Sequence, residues 1–232
     1  MDGKRIRHAD CHHCVIRKKM LFADLDLRAA DSALEPVNNL LVRPGIELYQ
    51  QGDAGTALYS VRKGLVKLVQ TTAEGYERIV HIAGPGSCIG MEGVVHERYQ
   101  QTAQTLTESD LCMIPVDAAL KIADSQPVLY LALLKRWQQQ FAMAERWMVE
   151  LGQGSMRQKL ARLLLLLDDV GQTNGEIRLL NNQDSASILG STVETVSRCV
   201  AEFKRNGALN KVAPAVYRMQ RELLQAIAHS AD

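Results

Sequence analysis

Residues Asn181–Leu209, NNQDSASILGSTVETVSRCVAEFKRNGAL, contain the spacing that decides the fold of the C-terminal part of this chain. Ala186, Gly190 and Val196 follow one another at steps of four and six residues. A helix-turn-helix needs a small residue where its helices cross, a turn residue that tolerates positive φ, and a branched apolar residue in the second helix. These three residues meet those needs in order, so the stretch predicts a helix-turn-helix.

The second predicted helix has polar side chains on its outward face, near its start. Glu194 can accept a hydrogen bond from cytosine N4, Arg198 can donate to guanine O6 and N7, and Ser197 can contact either base. An exposed i,i+4 salt bridge is the alternative explanation for Glu194 and Arg198. Together with the motif spacing, the pattern favours DNA reading. The residues predicted to contact DNA are Thr192, Glu194, Ser197, Arg198, Lys204 and Arg205.

Two further patterns flank this motif. After it, NGALNKVAPAVYRM predicts two short strands around Pro214, which would form a wing. Before it, apolar residues recur at steps of four and three along one helix, which predicts a coiled-coil dimer, with packing against its own domain as the alternative. The predicted dimer interface consists of Tyr130, Leu134, Trp137, Phe141, Ala144, Met148 and Leu151.

From about Leu40 to Pro115, short β-rich runs alternate with glycine turns, which predicts an antiparallel barrel or sandwich. The predicted class is therefore α+β, with an N-terminal antiparallel β-roll of jelly-roll type, a long dimerisation helix and a C-terminal winged helix-turn-helix. The predicted domains are residues 1–30, a sensory segment containing Cys and His; 31–125, the β-roll; 126–153, the dimerisation helix; and 154–232, the DNA-binding domain.

Composition narrows the classes of protein. The N-terminus lacks an apolar signal-peptide core, and no apolar stretch is long enough to cross a membrane, so we expect a cytoplasmic protein without membrane partners. Five cysteines in such a chain indicate reduced thiols, metal ligation or regulated oxidation rather than a disulfide scaffold. A net charge of +1 does not argue against DNA binding, which depends on where basic residues lie.

The segment His8–Phe22, HADCHHCVIRKKMLF, contains a C-x-x-C pair, three histidines and a basic run. Neighbouring cations are expected to lower the pKa of the thiols of Cys11 and Cys14. A C-H-H-C arrangement supplies part of a zinc shell. The segment is therefore a candidate metal or redox site.

At this point the chain resembles a family. LYSVRKGLVKL, IGMEGV and DLCMIP look like the effector-domain strands of the Crp/Fnr superfamily of bacterial transcription regulators, and TVETVSR looks like its recognition helix. Glu194, Ser197 and Arg198 match the base-reading positions of the Fnr branch. The resemblance implies a DNA-binding regulator and not an enzyme. It also implies a homodimer, a two-fold symmetric DNA operator with TTGAT-like half-sites, and contacts to RNA polymerase.

The resemblance also bears on the signal. Members that bind cyclic nucleotides hold the ribose with a Gly-Glu pair and the phosphate with an Arg-Ser pair. In this chain Gly90, Glu92, Gln101 and Thr102 occupy the effector pocket that the resemblance implies. Gln101 stands where the arginine should be, and burying a phosphate without a cation is costly. This departure argues against cyclic AMP.

Fnr-type oxygen sensors hold a 4Fe-4S cluster with three N-terminal cysteines and one from the β-domain. Cys11, Cys14 and Cys112 match three of these ligands, but Met20 stands where the remaining cysteine should be. The alternatives are a thiol switch, zinc or haem bound through histidines, and a small-molecule effector in the β-roll with unused cysteines. The candidates for the missing ligand are Cys88, His8, His12 and His13.

Two other classes fit the sequence less well. A cupin-like enzyme would need closely spaced histidines and a carboxylate in the β-region, which the sequence lacks. A thiol oxidoreductase would place its C-x-x-C at the start of a helix in a βαβ pattern, and no such pattern surrounds Cys11 and Cys14.

Overall fold

The computed structural model describes residues 3–14 and 16–230. The outer ends of the predicted first and last domains, residues 1–2 and 231–232, and position 15 lie outside the described residues. The described chain forms two compact units: residues up to Tyr76 with Val80–Ala142, and Glu77–Ile79 with the chain from Met143 onward. Antiparallel strands dominate the first unit, and helices with a small sheet form the second, so the predicted α+β class is confirmed.

The first unit is built from short strands and short helices. Its strands are β1 (Lys4–His8), β2 (Asn38–Val42), β3 (Glu47–Tyr49), β4 (Ala57–Lys63), β5 (Val66–Thr71), β6 (Glu77–Ala83, whose first three residues belong to the second unit), β7 (Cys88–Ile89), β8 (Thr102–Thr105) and β9 (Ser109–Pro115). Its helices are α1 (Asp31–Leu34), α2 (Gly93–His96) and α3 (Val116–Ser125), with 3-10 turns at Arg17–Lys19 and Arg28–Ala30. Helix α4 (Val128–Gly152) begins in this unit and ends in the second.

The strands form two sheets that enclose one core. One sheet has the order β1-β2-β9-β4-β7 and the other β3-β8-β5-β6. Apolar side chains from both sheets meet in a single buried cluster, which includes Leu40, Val61 and Leu111 from the first sheet and Val66 and Leu68 from the second. Because two antiparallel sheets bury their inner sides against each other, the predicted β-roll is confirmed.

The five-stranded sheet is also covered on its outer side. Along β9, Leu111 faces the enclosed core, whereas Cys112 and Ile114 belong to a second cluster on the opposite side. This alternation follows from the two-residue period of a strand. The N-terminal segment supplies the cover through Met20, Leu21, Phe22, Leu25 and Leu27.

Strand register aligns five residues of this sheet in one row. Arg7 pairs with Asn39, Asn39 with Cys112, Cys112 with Ser60, and Ser60 with Cys88. Directly paired residues of an antiparallel sheet project from the same side. Two cysteines that are distant in sequence therefore share the covered side of the sheet, with Ser60 between them.

The second unit contains the C-terminal end of α4 and the rest of the chain. Its elements are α5 (Met156–Gly171), β10 (Glu176–Arg178), α6 (Asn182–Leu189), α7 (Val193–Arg205), β11 (Leu209–Ala213), β12 (Val216–Met219) and α8 (Arg221–His229). Its three-stranded sheet has the order β10-β12-β11. Strands β11 and β12 flank Pro214, as predicted for the wing, and Ser155 forms the expected capping box with Gln158 at the start of α5.

Helix α4 presents an apolar face to solvent. Leu134, Phe141 and Met148 are 64%, 62% and 73% exposed, and Tyr130, Trp137 and Ala144 are exposed as well. Leu151, the last residue predicted for this face, is buried, whereas Ala144 and Met148 of the same unit are exposed. In the described part of the chain, no helix has the length and apolarity needed to cross a membrane.

Arg162 of α5 connects the C-terminal ends of two helices in the second unit. Its guanidinium donates to the carbonyl oxygens of Glu150 at 3.0 Å and Gln153 at 2.7 Å, near the end of α4. It also donates twice to the carbonyl oxygen of Ala228 near the end of α8, at 2.7 and 3.0 Å. The last carbonyls of a helix have no partner within the helix, so one cation satisfies acceptors that would otherwise need water.

We expect Arg162→Met to lower the free energy of unfolding by about 1.5–3 kcal/mol, the range for hydrogen bonds to a charged group. The matched control is Arg157→Met on the same helix, where Arg157 forms a half-exposed ion pair with Glu202 and the expected loss is below about 1 kcal/mol. Urea unfolding of both variants measures the difference. Equal losses would show that Arg162 does not hold the helix ends.

Candidate nucleic-acid interface and cysteine pocket

The turn between α6 and α7 has the geometry that a helix-turn-helix requires. Gly190 ends α6 in the left-handed conformation, with φ 60° and ψ 45°. Its N–H and that of Ser191 both donate to the carbonyl oxygen of Ala186, which closes the helix end. Ala186 and Val196 are both buried, as the sequence spacing predicts. A left-handed turn residue without a Cβ allows α7 to leave α6 without strain.

Helix α7 has one apolar side and one polar side. Val196 and Phe203 are completely buried, and Val193 and Val200 are half-buried beside them. Glu194, Ser197 and Arg198 are exposed on the opposite side. The helix is therefore held by one face and presents its polar N-terminal half outward.

The polar side chains of α7 are not paired as the salt-bridge alternative requires. The Arg198 guanidinium donates to Thr195 Oγ1 at 3.3 Å, and among the described residues no ion pair joins it to Glu194. Thr192 is exposed, and its hydroxyl caps α7 by accepting from the Thr195 N–H at 3.3 Å. Glu194, Ser197 and Arg198, the residues predicted to read bases, are therefore exposed without an ion pair between Glu194 and Arg198 among the described residues.

Basic residues continue the interface towards the wing. Lys204 and Arg205 are exposed in the last turn of α7, and Lys211 is exposed on β11. The Lys204 ammonium lies 4.7 Å from the centre of the Tyr217 ring on β12. This cation–π contact ties the end of α7 to the wing, while the other two cations project into solvent where they can meet phosphates.

In the first unit, three of the cysteines selected from the sequence line one pocket. Cys11 and Cys14 come from the N-terminal segment, and Cys112 comes from β9. Met20 lines the same pocket, so the residue at the position of the missing cysteine also faces it. The remaining lining residues are Ala9, Asp10, Arg17, Leu21, Phe22, Asn39, Ser60, Arg62 and Ile114.

Burial raises the pKa of two thiols of this pocket, Cys112 and Cys11. It raises the pKa of Cys112 to about 12, with repulsion from Cys11 adding to the effect and Arg62 opposing it. Burial also raises the pKa of Cys11, followed by the charges of Cys14 and Asp10. The expectation that basic neighbours lower the pKa is wrong for Cys11, because Arg17 and Arg62 do not overcome desolvation.

The histidines of the N-terminal segment point to other partners. His12 Nε2 lies 2.7 Å from Asp31 Oδ1, and His13 Nδ1 lies 2.9 Å from Asp10 Oδ2. His8 is exposed on β1. None of the three lines the pocket. The predicted zinc or haem ligation through these histidines therefore finds no histidine in the wall of the cysteine pocket.

Cys88 does not supply the missing ligand. It is completely buried in the row described above and hydrogen-bonds to Ser60, which separates it from Cys112. Burial raises its pKa to about 12. A 4Fe-4S cluster needs four cysteine thiolates. The pocket presents three cysteines and a thioether, so its residues do not fit a four-thiolate cluster.

The effector residues predicted in the β-roll lie beside a tightly filled interior. Tyr49 stacks on Tyr99 with ring centres 3.7 Å apart, and Tyr59 lies 5.7 Å from Tyr49. Thr102 Oγ1 accepts from the backbone N–H of Gln51, Gln101 is half-buried, and Gly90 has a φ of 75°. Burial raises the pKa of Glu92, whose Oε1 has no hydrogen-bond partner among the described residues.

Sequence reasoning missed five polar residues of the cysteine pocket: Asp10, Arg17, Asn39, Ser60 and Arg62. Asn39 and Ser60 reach it because they pair with Cys112 across two strand ladders. Strand pairing between distant segments leaves no local mark in a single sequence. The alternation of β4 was the only signal, since it places Leu58 and Ser60 on the side opposite Tyr59 and Val61.

Comparison with known proteins agrees with both units. Residues 40–126 match the family model of the cyclic nucleotide-binding domain, and residues 158–227 match that of the Crp-like helix-turn-helix domain. The transcriptional activator protein anr of Pseudomonas aeruginosa is 26% identical over 231 residues, covering 97% of this chain and 95% of that protein. The fumarate and nitrate reduction regulatory protein of Vibrio cholerae is 24% identical, covering 86% of this chain and 82% of that protein.

The fold also matches solved structures. FixK2 from Bradyrhizobium japonicum superposes with a TM-score of 0.73 at 21% identity, covering 84% of this chain and 99% of that chain. At this identity the likeness establishes the fold alone.

The low reactivity expected of the buried cysteines can be measured by alkylation at pH 8. We expect Cys88 and Cys112 to react with iodoacetamide at least roughly tenfold more slowly than Cys199 on α7, because the thiolate is the nucleophile and both thiols are buried. Mass spectrometry of timed samples gives the rates, and the same chain in urea is the control, in which all sites should react. Equal labelling of Cys112 and Cys199 in the folded protein would contradict the buried thiol.

Proposed function

The chain belongs to the Crp/Fnr family of DNA-binding transcriptional regulators, and we propose that it is a homodimer that reads a two-fold symmetric, TTGAT-like operator under control of its cysteine pocket. Residues 1–30 would be the sensory segment, 31–125 the β-roll, 126–153 the dimerisation helix and 154–232 the DNA-binding domain.

The observation that carries this proposal is the outward face of α7. Glu194, Ser197 and Arg198 are exposed together near the start of a helix whose other side is anchored in the core by Val196 and Phe203. In a helix-turn-helix, this end of the second helix enters the major groove. A carboxylate, a hydroxyl and a guanidinium there can recognise cytosine, either base and guanine respectively, which suits a half-site of mixed sequence.

The exposed apolar face of α4 supports a homodimer. Four large apolar side chains of this helix are exposed to solvent at steps of three, four and seven residues: Leu134, Trp137, Phe141 and Met148. Contiguous exposed apolar surface of this kind marks an interaction site, and the heptad spacing suits a second copy of the same helix. A two-fold dimer presents two recognition helices to two half-sites, from which operator symmetry follows. Contact with RNA polymerase is proposed from family membership alone.

The cysteine pocket is proposed as the place where the signal is received because it is joined to α4 by hydrogen bonds. Arg136 of α4 donates to the backbone carbonyl oxygens of Lys19 at 2.8 Å and Met20 at 3.2 Å. Met20 lines the pocket, and Arg136 lies one residue from Trp137 on the exposed face. A change in the pocket that moves the backbone at Met20 would therefore act on the dimerisation helix. The pocket combines three thiols, so the proposed signal is a redox, gas or metal stimulus.

The alternative proposal is that a small-molecule effector bound inside the β-roll controls the protein. Tyr49, Tyr59 and Tyr99 pack against one another in the interior, so a ligand there would have to displace aromatic side chains. The cysteine pocket requires no such displacement and is the better supported signal site.

Replacement of Arg198 tests the reading of DNA. We expect Arg198→Ala to lose about 1–3 kcal/mol of discrimination between a TTGAT duplex and one altered at the guanine, the value of a bidentate contact. Arg178→Ala, which removes an exposed cation from β10, is the matched control and should preserve the ratio of affinities. Fluorescence anisotropy at a fixed salt concentration gives both constants. Equal binding of the wild-type protein to TTGAT and scrambled duplexes would refute the proposal.

Charged substitutions on α4 test the dimer. We expect Trp137→Asp and Phe141→Asp to produce monomers in sedimentation velocity, because each places a carboxylate in the apolar interface. The control is Gln138→Asp, an exposed polar position next to Trp137 in sequence but turned away from the heptad face. A dimer that survives both apolar substitutions would show that α4 is not the interface.

A further inference from the structure

Four sulfur-containing side chains line one pocket of the first unit: Cys11, Cys14, Cys112 and Met20. We infer that this pocket binds a single Cu(I) ion, with the three cysteines as thiolate ligands and the Met20 thioether as an additional soft donor. The inference deepens the proposed function and rests on it for one point, the effect of the metal on DNA binding. The binding itself concerns only the residues of the pocket.

The donor set of the pocket favours a soft metal. Thiolate and thioether ligands select Cu(I), whereas imidazole and carboxylate ligands suit harder ions. His12 and His13 are engaged by carboxylates and do not line the pocket. Asp10 lines it, but its Oδ1 accepts from the backbone N–H and from Nδ1 of His13. Most of the candidate ligand atoms in the pocket are thus sulfur atoms.

The number and kind of sulfur ligands in the pocket favour Cu(I) over a 4Fe-4S cluster and over zinc. A 4Fe-4S cluster needs four cysteine thiolates, and structural zinc takes four ligands drawn from Cys, His and carboxylates. Three cysteines leave the iron–sulfur set incomplete, and they complete a zinc set only if the Asp10 carboxylate, which His13 engages, becomes the fourth ligand. Methionine is a ligand for Cu(I) but is not among the usual zinc ligands. Met20 is 6% exposed and lines the same pocket as the three cysteines, so the residue that breaks the iron–sulfur pattern supplies a soft donor for Cu(I).

The charges around the pocket suit a metal–thiolate complex. Binding Cu(I) to three thiols releases three protons and leaves a complex of net charge −2, because one positive ion replaces three. Two arginines, Arg17 and Arg62, and one carboxylate, Asp10, line the pocket, so its charged side chains are positive on balance. The Nε of Arg62 is buried without a hydrogen-bond partner among the described residues, and its Nη1 lies 3.6 Å from Asp110. A buried guanidinium with an unused donor is stabilised by a negatively charged partner.

The ligands are gathered but not yet in coordination positions. In the described part of the chain, no three His, Cys, Asp or Glu side chains already form a metal-binding group. Cys112 is held in β9 between two paired strands, whereas Cys11 and Cys14 lie in a turn segment outside the regular elements. Metal binding would therefore draw the N-terminal turn towards the sheet, and this segment continues to Met20, which Arg136 holds to α4.

The test measures Cu(I) binding to the full reduced chain under anaerobic conditions. Bathocuproine disulfonate competes for the ion, and its absorbance reports how much Cu(I) the protein removes. We expect one Cu(I) per chain for the wild type and at least tenfold weaker retention for Cys14→Ser and Cys112→Ser. Cys199→Ser is the matched control, since Cys199 lies on α7 and does not line the pocket, and it should retain the ion as the wild type does.

Met20→Leu keeps an apolar side chain of similar volume and removes only the sulfur. We expect it to weaken Cu(I) retention severalfold, to leave the weaker binding of Zn(II) unchanged, and to preserve the circular dichroism spectrum. Met113→Leu, one residue from Cys112 but on the other side of β9, is its control. X-ray absorption of the copper-loaded wild type should show sulfur neighbours only. Nitrogen neighbours, or equal retention by Cys199→Ser and Cys112→Ser variants that both fold, would overturn the inference.

DNA binding separates this inference from the proposed function. Copper-loaded and copper-free wild type are compared on the TTGAT duplex by fluorescence anisotropy. A change in operator affinity that Cys112→Ser abolishes supports both the metal site and its role in control. Tight Cu(I) binding with unchanged operator affinity supports the metal site and contradicts the pocket as the signal receiver. Specific DNA binding without any Cu(I) retention overturns the metal site alone.

Discussion

The register of the five-stranded sheet is the constraint on which the first unit depends. In β9, Leu111 points into the β-roll while Cys112 points to the covered outer side, and the paired strand β4 divides Tyr59 and Ser60 in the same way. A slip of one residue would exchange these sides, exposing core residues to the pocket and burying polar groups in the roll. Because both sides of the sheet are buried, two sets of contacts fix this register: the core between the two sheets, and the packing of the N-terminal segment on the outer side.

This arrangement explains why the cysteines have the properties of buried groups. The N-terminal segment packs its apolar side chains on the sheet and carries Cys11 and Cys14 to the edge of that cover. Desolvation then dominates over nearby arginines and raises the pKa of Cys11 and Cys112. A raised pKa makes Cys11 and Cys112 weaker nucleophiles, and a metal ion that binds them has to displace their protons.

The second unit shows how a small number of residues can determine a recognition surface. Gly190 sets the angle at which α7 leaves α6, Val196 and Phe203 anchor one face of α7, and Arg162 holds the ends of α4 and α8 around the same helix, α5. With the inner face fixed in this way, Glu194, Ser197 and Arg198 can differ without cost to the fold. Separation of anchoring from reading residues is what allows one fold to recognise different operators.

The sequence alone determined the elements whose pattern is local. Spacings of a few residues predict the helix-turn-helix, its wing, the β-roll and the heptad face of α4. The spacing of the helix-turn-helix also predicts the left-handed conformation of Gly190 and the burial of Ala186. Leu151 fits the heptad spacing but is buried, because burial at the end of α4 depends on what this end packs against. The tertiary structure decided which polar residues join the cysteines and whether burial or charge controls their pKa. Strand register and desolvation arise from contacts between distant segments, and such contacts leave no periodic signal along the chain.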